Sequence, residues 1–263
     1  MKKFDIIIIG GGHNGLVAAS YLSKKNKKVL VIEKNENVGG LAEYANNLNC
    51  ISPIITKELS INATNTNNTN HIISLEDHQN HTVLEDNNGK LSFIKTNADE
   101  HDQKNFLSII NNYKIFSKTL GSFMFKKPPR VKSGNKADIL QLISMGWKIR
   151  KLGKKNMREL LRVIGLNIAD DLEDNLSNDN LMGLLSHEAV LGTNLGPRSP
   201  GSILTLLYKQ AINNNVFNLK NIEVADYINQ LEESCNKNSV EIIKSSEVKK
   251  ILTQNNSVTG VQL

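Results

Sequence analysis

The residues with the clearest chemical potential lie within the first forty positions of this 263-residue chain. Gly10, Gly12 and Gly15 form a Gly-x-Gly-x-x-Gly pattern, with Gly11, His13 and Asn14 between them. The pattern follows Ile6-Ile7-Ile8-Ile9 and precedes Leu16-Val17-Ala18-Ala19-Ser20-Tyr21-Leu22. An unbroken β-branched run suits a parallel strand covered on both faces. The segment after the glycines has helical period, and Val17 with Tyr21, and Ala18 with Leu22, are expected on the inward side. Gly10 permits the sharp strand-to-helix turn, Gly12 lets the backbone approach a pyrophosphate, and Gly15 lets the helix pack tightly on the strand. The free N–H groups and positive dipole end of that helix then face the diphosphate. Val29-Leu30-Val31-Ile32 reads as a second strand. Glu33 ends it eighteen positions past Gly15, where a carboxylate can accept hydrogen bonds from both ribose hydroxyls. Strand, turn, helix, strand and acid in this order predict a dinucleotide-binding unit. A glycine-rich turn in some other α/β protein is the bland alternative.

Gly39-Gly40 directs the choice of cofactor. The segment from Glu33 to this pair resembles the extended signature of FAD-containing oxidoreductases of the glutathione-reductase and amine-oxidase kind. There a glycine pair after the second strand lets the chain return past the diphosphate. Residues 8–19, Ile-Ile-Gly-Gly-Gly-His-Asn-Gly-Leu-Val-Ala-Ala, are similar to the phytoene-desaturase-like family. That family includes carotenoid dehydrogenases and pyridine nucleotide-disulfide oxidoreductase domain-containing protein 2. The resemblance implies FAD, a lipophilic small-molecule substrate, and a flavin that accepts hydride while the protein supplies position and electrostatics. The candidate cofactor-binding residues are Gly10, Gly11, Gly12, Asn14, Gly15, Glu33, Gly39, Gly40 and, by resemblance at a Val-x-x-Ile stretch, Val248 through its main chain. An NAD-binding dehydrogenase is disfavoured by Gly39-Gly40 and by that late strand. No Ser/His/Asp ordering or carboxylate pair stands out, so catalytic residues stay unassigned.

The elements that must position these residues imply an α/β fold: an FAD/NAD(P)-binding Rossmann-like domain with a parallel sheet, plus a partial α+β substrate or cap domain. Residues 1–50 form the first βαβ unit, 51–220 the substrate/cap region, and 221–263 the return to the FAD-binding domain. Short strands are expected at His71–Ser74, Thr82–Leu84 and Leu91–Ile94, around an Asp86-Asn87-Asn88-Gly89 turn. Helices are expected at Asp99–Lys118, Ala137–Lys155, Met157–Val163, Ile168–Leu176, Leu181–Leu191, Ile203–Ala211 and Ile222–Asn236. Strands at Glu241–Ile243, Glu247–Leu252 and Ser257–Leu263 close the chain. Gly196-Pro197-Arg198-Ser199-Pro200-Gly201-Ser202 resembles a segment of the same family's substrate-side domain, which would bring Arg198 and His187 toward a ligand. A Pro/Gly-shaped turn between two helices is the favoured alternative. Family members run to about twice this length, so a fragment, half of a split gene with a separately encoded C-terminal half, or a shortened protein is expected. A non-catalytic FAD-binding half is the alternative to a self-sufficient enzyme.

Composition narrows the partners. A net charge of +6 permits attraction to anions without demonstrating any. Abundant asparagine, lysine and isoleucine look like coding bias. Cys50 and Cys235 form no Cys-x-x-Cys and read as reduced thiols. His71, His78 and His81 cluster without a carboxylate or cysteine at useful spacing, so solvated loop histidines are expected and no metal site. The polar run Ile61–Asn70 reads as a loop. From Lys126 to Arg158 there are eleven basic residues and one acid, Asp138, interleaved with Ile139, Leu140, Leu142, Ile143, Met145 and Trp147. Two readings stand: a peripheral contact with an anionic membrane through residues 126–158, or a cap-domain helix with lysines in water and its apolar face in the core. Aromatics at 5% and no recognised module argue against nucleic acid. No stretch reaches a membrane span or carries a cleavage site, so a cytoplasmic location is expected.

Overall fold

The computed structural model describes residues 2–44, 47–48, 51–62, 71–75, 81–87, 90–124, 126–132, 134–213, 216–217 and 222–263. It divides into two compact units, Met1–Asn68 with Lys220–Leu263, and Thr69–Leu219. The first division falls later than residue 50 because Leu59 and Ile61, each 4% exposed, pack into the core of the first unit.

The first unit opens with β1 (Ile6–Ile9), α1 (His13–Ser23) and β2 (Val29–Ile32). β1 and β2 are parallel, with Ile6 opposite Val29 and Ile9 opposite Ile32. All four β2 residues are buried, as an unbroken apolar run demands of a central strand. A 3₁₀ turn (Gly40–Tyr44), β3 (Asn47–Leu48) and α2 (Pro53–Leu59) follow. Proline in the first turn of α2 costs no hydrogen bond, because the N–H it lacks would have had no partner inside the helix.

The second unit begins with β4 (His71–Leu75), β5 (His81–Asn87) and β6 (Lys90–Lys95), an antiparallel sheet in that order. Leu84 on β5 stands opposite Ile72 and Phe93, and Thr82, Leu84 and Asp86 face the buried side by strict alternation. α3 (Glu100–Met124) runs six residues past the expected Lys118 and buries Phe106, Ile109, Ile110, Tyr113 and Phe116. The helix expected over Ala137–Lys155 is two, α4 (Lys136–Arg150) and α5 (Gly153–Val163). Gly153 breaks it by taking φ +80°, a left-handed value that stops a right-handed helix. α6 (Ile168–Glu173), α7 (Asp179–Val190) and α8 (Ser202–Asn213) complete the unit. Asn135, Asn167 and Asn178 cap α4, α6 and α7, each accepting a first-turn N–H, so part of the asparagine content has a structural role. The core of this unit joins Leu84, Phe106, Tyr113 and Phe116 to Leu160, Leu172, Leu181, Leu185, Ile203 and Leu206.

The chain returns to the first unit through β7 (Ile222–Glu223), antiparallel to β3, and α9 (Val224–Lys237). The helix expected from Ile222 thus starts two residues later. β8 (Glu241–Ile243) adds parallel to β2, giving the order β1-β2-β8. β9 (Lys250–Gln254) and β10 (Ser257–Gln262) form a separate antiparallel hairpin. The strand expected from Glu247 begins at Lys250, so Val248 lies in the connection. α1 packs on α9 through Leu16, Ala19 and Ser20, while Ala18 is exposed and Val17, Tyr21 and Leu22 are only half-buried. The inward face is therefore rotated from the expected one. Its position is set by Cys235 on α9, whose Sγ donates to Leu16 O at 3.3 Å and lies 3.2 Å from Ser20 Oγ.

Candidate functional site

The glycine-rich turn is built by β1 and β2 together. The Gly10 N–H donates to Ile32 O at 2.8 Å, carrying the parallel ladder into the turn, and the chain then enters α1 at Gly12. Gly15 sits where α1 crosses the turn: a Cβ there would lie 2.4 Å from Gly10 O, so no other residue fits without moving backbone. The second glycine pair folds back onto the first. Gly12 and Gly39 form an isolated parallel bridge, and the Gly39 N–H donates to Gly11 O at 2.9 Å. A Cβ on Gly40, at φ +61°, would come within 3.2 Å of Gly12 Cα.

Glu33 is 4% exposed and ties this turn to β2. Its Oε2 accepts the Gly11 N–H at 2.6 Å and its Oε1 accepts the Asn35 N–H at 2.9 Å. A carboxylate oxygen has a second lone pair, so each can still accept from a ribose hydroxyl. The segment leading to Val248 runs alongside: Ser246 N–H donates to Glu33 O and Ser245 N–H to Asn35 O, each at 2.9 Å. Val248 itself is half-buried and Asn14 is exposed on the first turn of α1. The structure thus gathers Gly10, Gly11, Gly12, Gly15, Glu33, Gly39 and Gly40 at the start of α1. Val38, whose Cγ1 would stand 2.9 Å from a Cβ on Gly11, also belongs to the turn, and the sequence offers no signal for it beyond its place beside Gly39.

The fit to a dinucleotide diphosphate can be tested on Gly12. Its backbone is extended, φ −65° and ψ 166°, and a Cβ there would meet no protein atom closer than 3.8 Å. Neither conformation nor packing requires glycine at this position; the nearest atoms to such a Cβ are Gly39 O and Gly40 Cα, so glycine here leaves the gap between the two glycine segments open. No side chain caps α1, and its first turn holds no acid. Bare N–H groups, a positive dipole end and a cleared approach suit an anionic diphosphate.

Other expected residues have structural partners. Arg198 Nη2 donates to Glu173 Oε1 at 2.6 Å and Nη1 to Asp170 Oδ1 at 3.4 Å. Ser202 Oγ accepts the Ile168 N–H at 2.9 Å and donates to Pro197 O at 3.0 Å, so the Pro/Gly loop is clamped onto α6. His187 is exposed on α7. His71 Nε2 stands 4.0 Å from Glu85 Oε1, and His81 Nε2 3.1 Å from Lys95 Nζ. His78, Cys50, residues 63–70 and Asn88-Gly89 lie outside the described residues. Cys235 is fully buried, and burial pushes its thiol up from the ordinary value. Among the described residues one metal-type cluster occurs, Asp99, His101 and Asp102. Its carboxylates already cap backbone: Asp99 Oδ1 accepts Asp102 N–H, and Asp102 Oδ2 accepts Ser177 and Asn178 N–H. No described helix is long and apolar enough to cross a membrane.

A family model of the NAD(P)-binding Rossmann-like domain matches residues 8–74. A limonene dehydrogenase polypeptide of Castellaniella defragrans is 45% identical to this chain over 40 residues, 15% of the chain and 7% of the relative. Human all-trans-retinol 13,14-reductase is 46% identical over 39 residues, 15% of the chain and 6% of the relative. Cyclohexylamine oxidase from Brevibacterium oxydans has the same fold across 98% of this chain and 54% of its own, with a TM-score of 0.53 and 15% identity. The chain spans about half the length of the solved structures it matches, and its alignments to curated relatives cover a small part of theirs. The Rossmann-like domain therefore rests on matched sequence, a parallel β1-β2-β8 sheet and the glycine turn together.

Proposed function

We propose that the chain provides the FAD-binding part of an oxidoreductase acting on a lipophilic substrate. The observation that carries this reading is the Gly12–Gly39 bridge, which brings a second glycine pair against the first at the start of α1. The lipophilic substrate rests on the resemblance of residues 8–19 to the phytoene-desaturase-like family; the matched relatives share the cofactor turn, which carries no substrate information. In this reading the N–H groups at the start of α1 hold the diphosphate, with Gly10, Gly11, Gly12, Asn14 and Gly15 around it. Glu33 accepts from the ribose, Gly39-Gly40 keep the return of the chain close, and Val248 meets the adenine through its main chain. Bound FAD would supply the two-electron acceptor for a hydride. The protein's own part is to bind, orient and shield it.

A second reading, a cofactor-binding half completed by a separately encoded chain, is favoured by one feature. β1 is an edge strand among the described residues, and Ile9, in a run whose composition suits a strand covered on both faces, is 51% exposed. The test is the visible spectrum of the purified chain before and after FAD is added. Oxidised-flavin bands that stay with the protein and are released on denaturation support the first reading. A protein that stays colourless overturns it and leaves the second, tested by repeating the titration with the completing chain present.

A further inference from the structure

α4 presents most of its large apolar residues outward and turns several polar ones toward the protein. Gln141 Nε2 donates to Lys127 O at 2.7 Å, Asp138 Oδ2 lies 3.6 Å from Arg130 Nε, and Lys148 Nζ stands 5.4 Å from the centre of the Phe123 ring. No residue of α4 is buried. Ile139, Leu140, Leu142, Ile143 and Trp147 are 48%, 67%, 38%, 62% and 60% exposed. At 3.6 residues per turn these five fall on one arc of about 160°. The cap-domain expectation, with the apolar face in the core, is thereby corrected: the inward line runs instead through Asp138, Gln141, Met145 and Ile149.

The inward line is not closed off either: Gln141 and Met145 border an apolar groove of about 340 Å³ with Phe123 and with Leu204 and Tyr208 on α8, which are 45% and 54% exposed. The segment 126–158 that contains this face carries eleven basic residues, and all but Lys148 are exposed. The single acid among them, Asp138, is turned toward Arg130.

We infer that this face docks on an anionic membrane surface, with the apolar arc of α4 in the acyl boundary and the lysines and arginines at the headgroups. The charge pattern selects this occupant. A second copy would bring the same basic segment against itself, which like-charge repulsion opposes. A phosphodiester backbone would match the lysines and leave five hydrocarbon side chains in water. A bilayer interface satisfies both, and Trp147 has the amphipathic ring favoured at headgroup level. Each basic residue near an anionic surface contributes about five-fold to partitioning. The inference stands on α4 and its surroundings, independently of what the Rossmann-like domain binds.

Trp147, the one tryptophan in the chain, is a built-in reporter. The full chain is titrated with vesicles of phosphatidylglycerol and phosphatidylcholine, and separately of phosphatidylcholine alone, following tryptophan emission and co-sedimentation. The expected result is a blue shift and co-sedimentation on anionic vesicles, lost as salt shortens the Debye length from about 10 Å to a few ångströms. The double variant Leu140→Ser, Ile143→Ser should weaken binding about ten-fold or more. Lys154→Glu with Lys155→Glu, which spares the apolar arc and all buried residues, should weaken it by a comparable factor; circular dichroism checks that both variants fold. Absence of a shift on either vesicle overturns the inference, as does equal binding to uncharged vesicles or by the two variants. A blue shift that grows with protein concentration without vesicles also overturns it and assigns the face to a second copy.

Discussion

Gly12 and Gly15 are three positions apart, yet substitution at each should fail for opposite reasons. A Cβ on Gly15 collides with Gly10 O at 2.4 Å, so Gly15→Ala must displace backbone and should destabilise the first unit by about 1–3 kcal/mol, measured by urea unfolding without cofactor. A Cβ on Gly12 meets only ordinary contacts, so Gly12→Ala should leave stability unchanged or slightly raised while abolishing FAD binding in a spectral titration. If Gly12→Ala binds FAD normally, the diphosphate does not lie where proposed. A second residue-scale feature has no counterpart in sequence spacing. The Tyr113 O–H donates to Asp171 Oδ2 at 2.5 Å, and Asp171 Oδ1 accepts from Arg162 Nη2 at 2.5 Å, joining residues from α3, α5 and α6. Tyr113→Phe should cost about 1.5–3 kcal/mol, the range for a hydrogen bond to a charged group. Burial, then the charge of Asp171, holds the Tyr113 hydroxyl well above the usual tyrosine range, and burial with the Glu58 hydrogen bond pushes Tyr21 up to about 12. Raised folded values mean that the native state keeps protons the unfolded chain releases. This contribution is complete below pH about 10 and is lost as pH rises toward 12 and beyond. Tyrosinate absorbance should therefore appear in two stages, the second coinciding with loss of circular dichroism.

Elements are legible wherever their signal is local. β1, β2 and the glycine turn follow from a β-branched run and three glycines, and β4, β5 and β6 from alternation, so their positions agree with the structure within a few residues. Facing is harder to read. The inward side of α1 depends on Cys235, 215 positions beyond Ser20, and no period within α1 contains that information. α4 misleads because its apolar residues do recur on one side; sequence defines a side but not which way it points. The break at Gly153 is hidden because helical pattern continues through it, while a left-handed φ marks the end. Asparagine illustrates the same limit. Its abundance reads as uninformative, yet Asn178 Oδ1 accepts the Leu181 N–H at 3.1 Å and opens α7, beside Asp102, which holds the Ser177 and Asn178 N–H groups. Asn178→Ala should cost about 1 kcal/mol. Asp102→Ala leaves those two N–H groups without their acceptor and should cost more, by thermal unfolding of the two variants side by side.

Each of the two units has a core of its own, one gathered around Leu16, Val31, Leu231 and Cys235, the other around Phe106, Leu172, Leu181 and Leu206. The proposed cofactor residues all belong to the first unit, and the chain passes between units near residues 68 and 219. A ligand stabilises only what must be folded to bind it, by about 2.7 kcal/mol at a hundred times its dissociation constant. FAD should therefore raise hydrogen-exchange protection of the buried β2 amides, Leu30 and Val31, by about a hundred-fold. The amides of Leu185 on α7 and Leu206 on α8, in the second unit, should change far less. Equal protection in both units would show that they unfold as a single cooperative body, and separate cores would then be a description of packing without a thermodynamic counterpart. Unequal protection confined to the first unit would assign the cofactor to that unit by a measurement that needs no turnover. It would also leave the second unit, with the exposed face of α4, free to be assayed on vesicles whether FAD is bound or not.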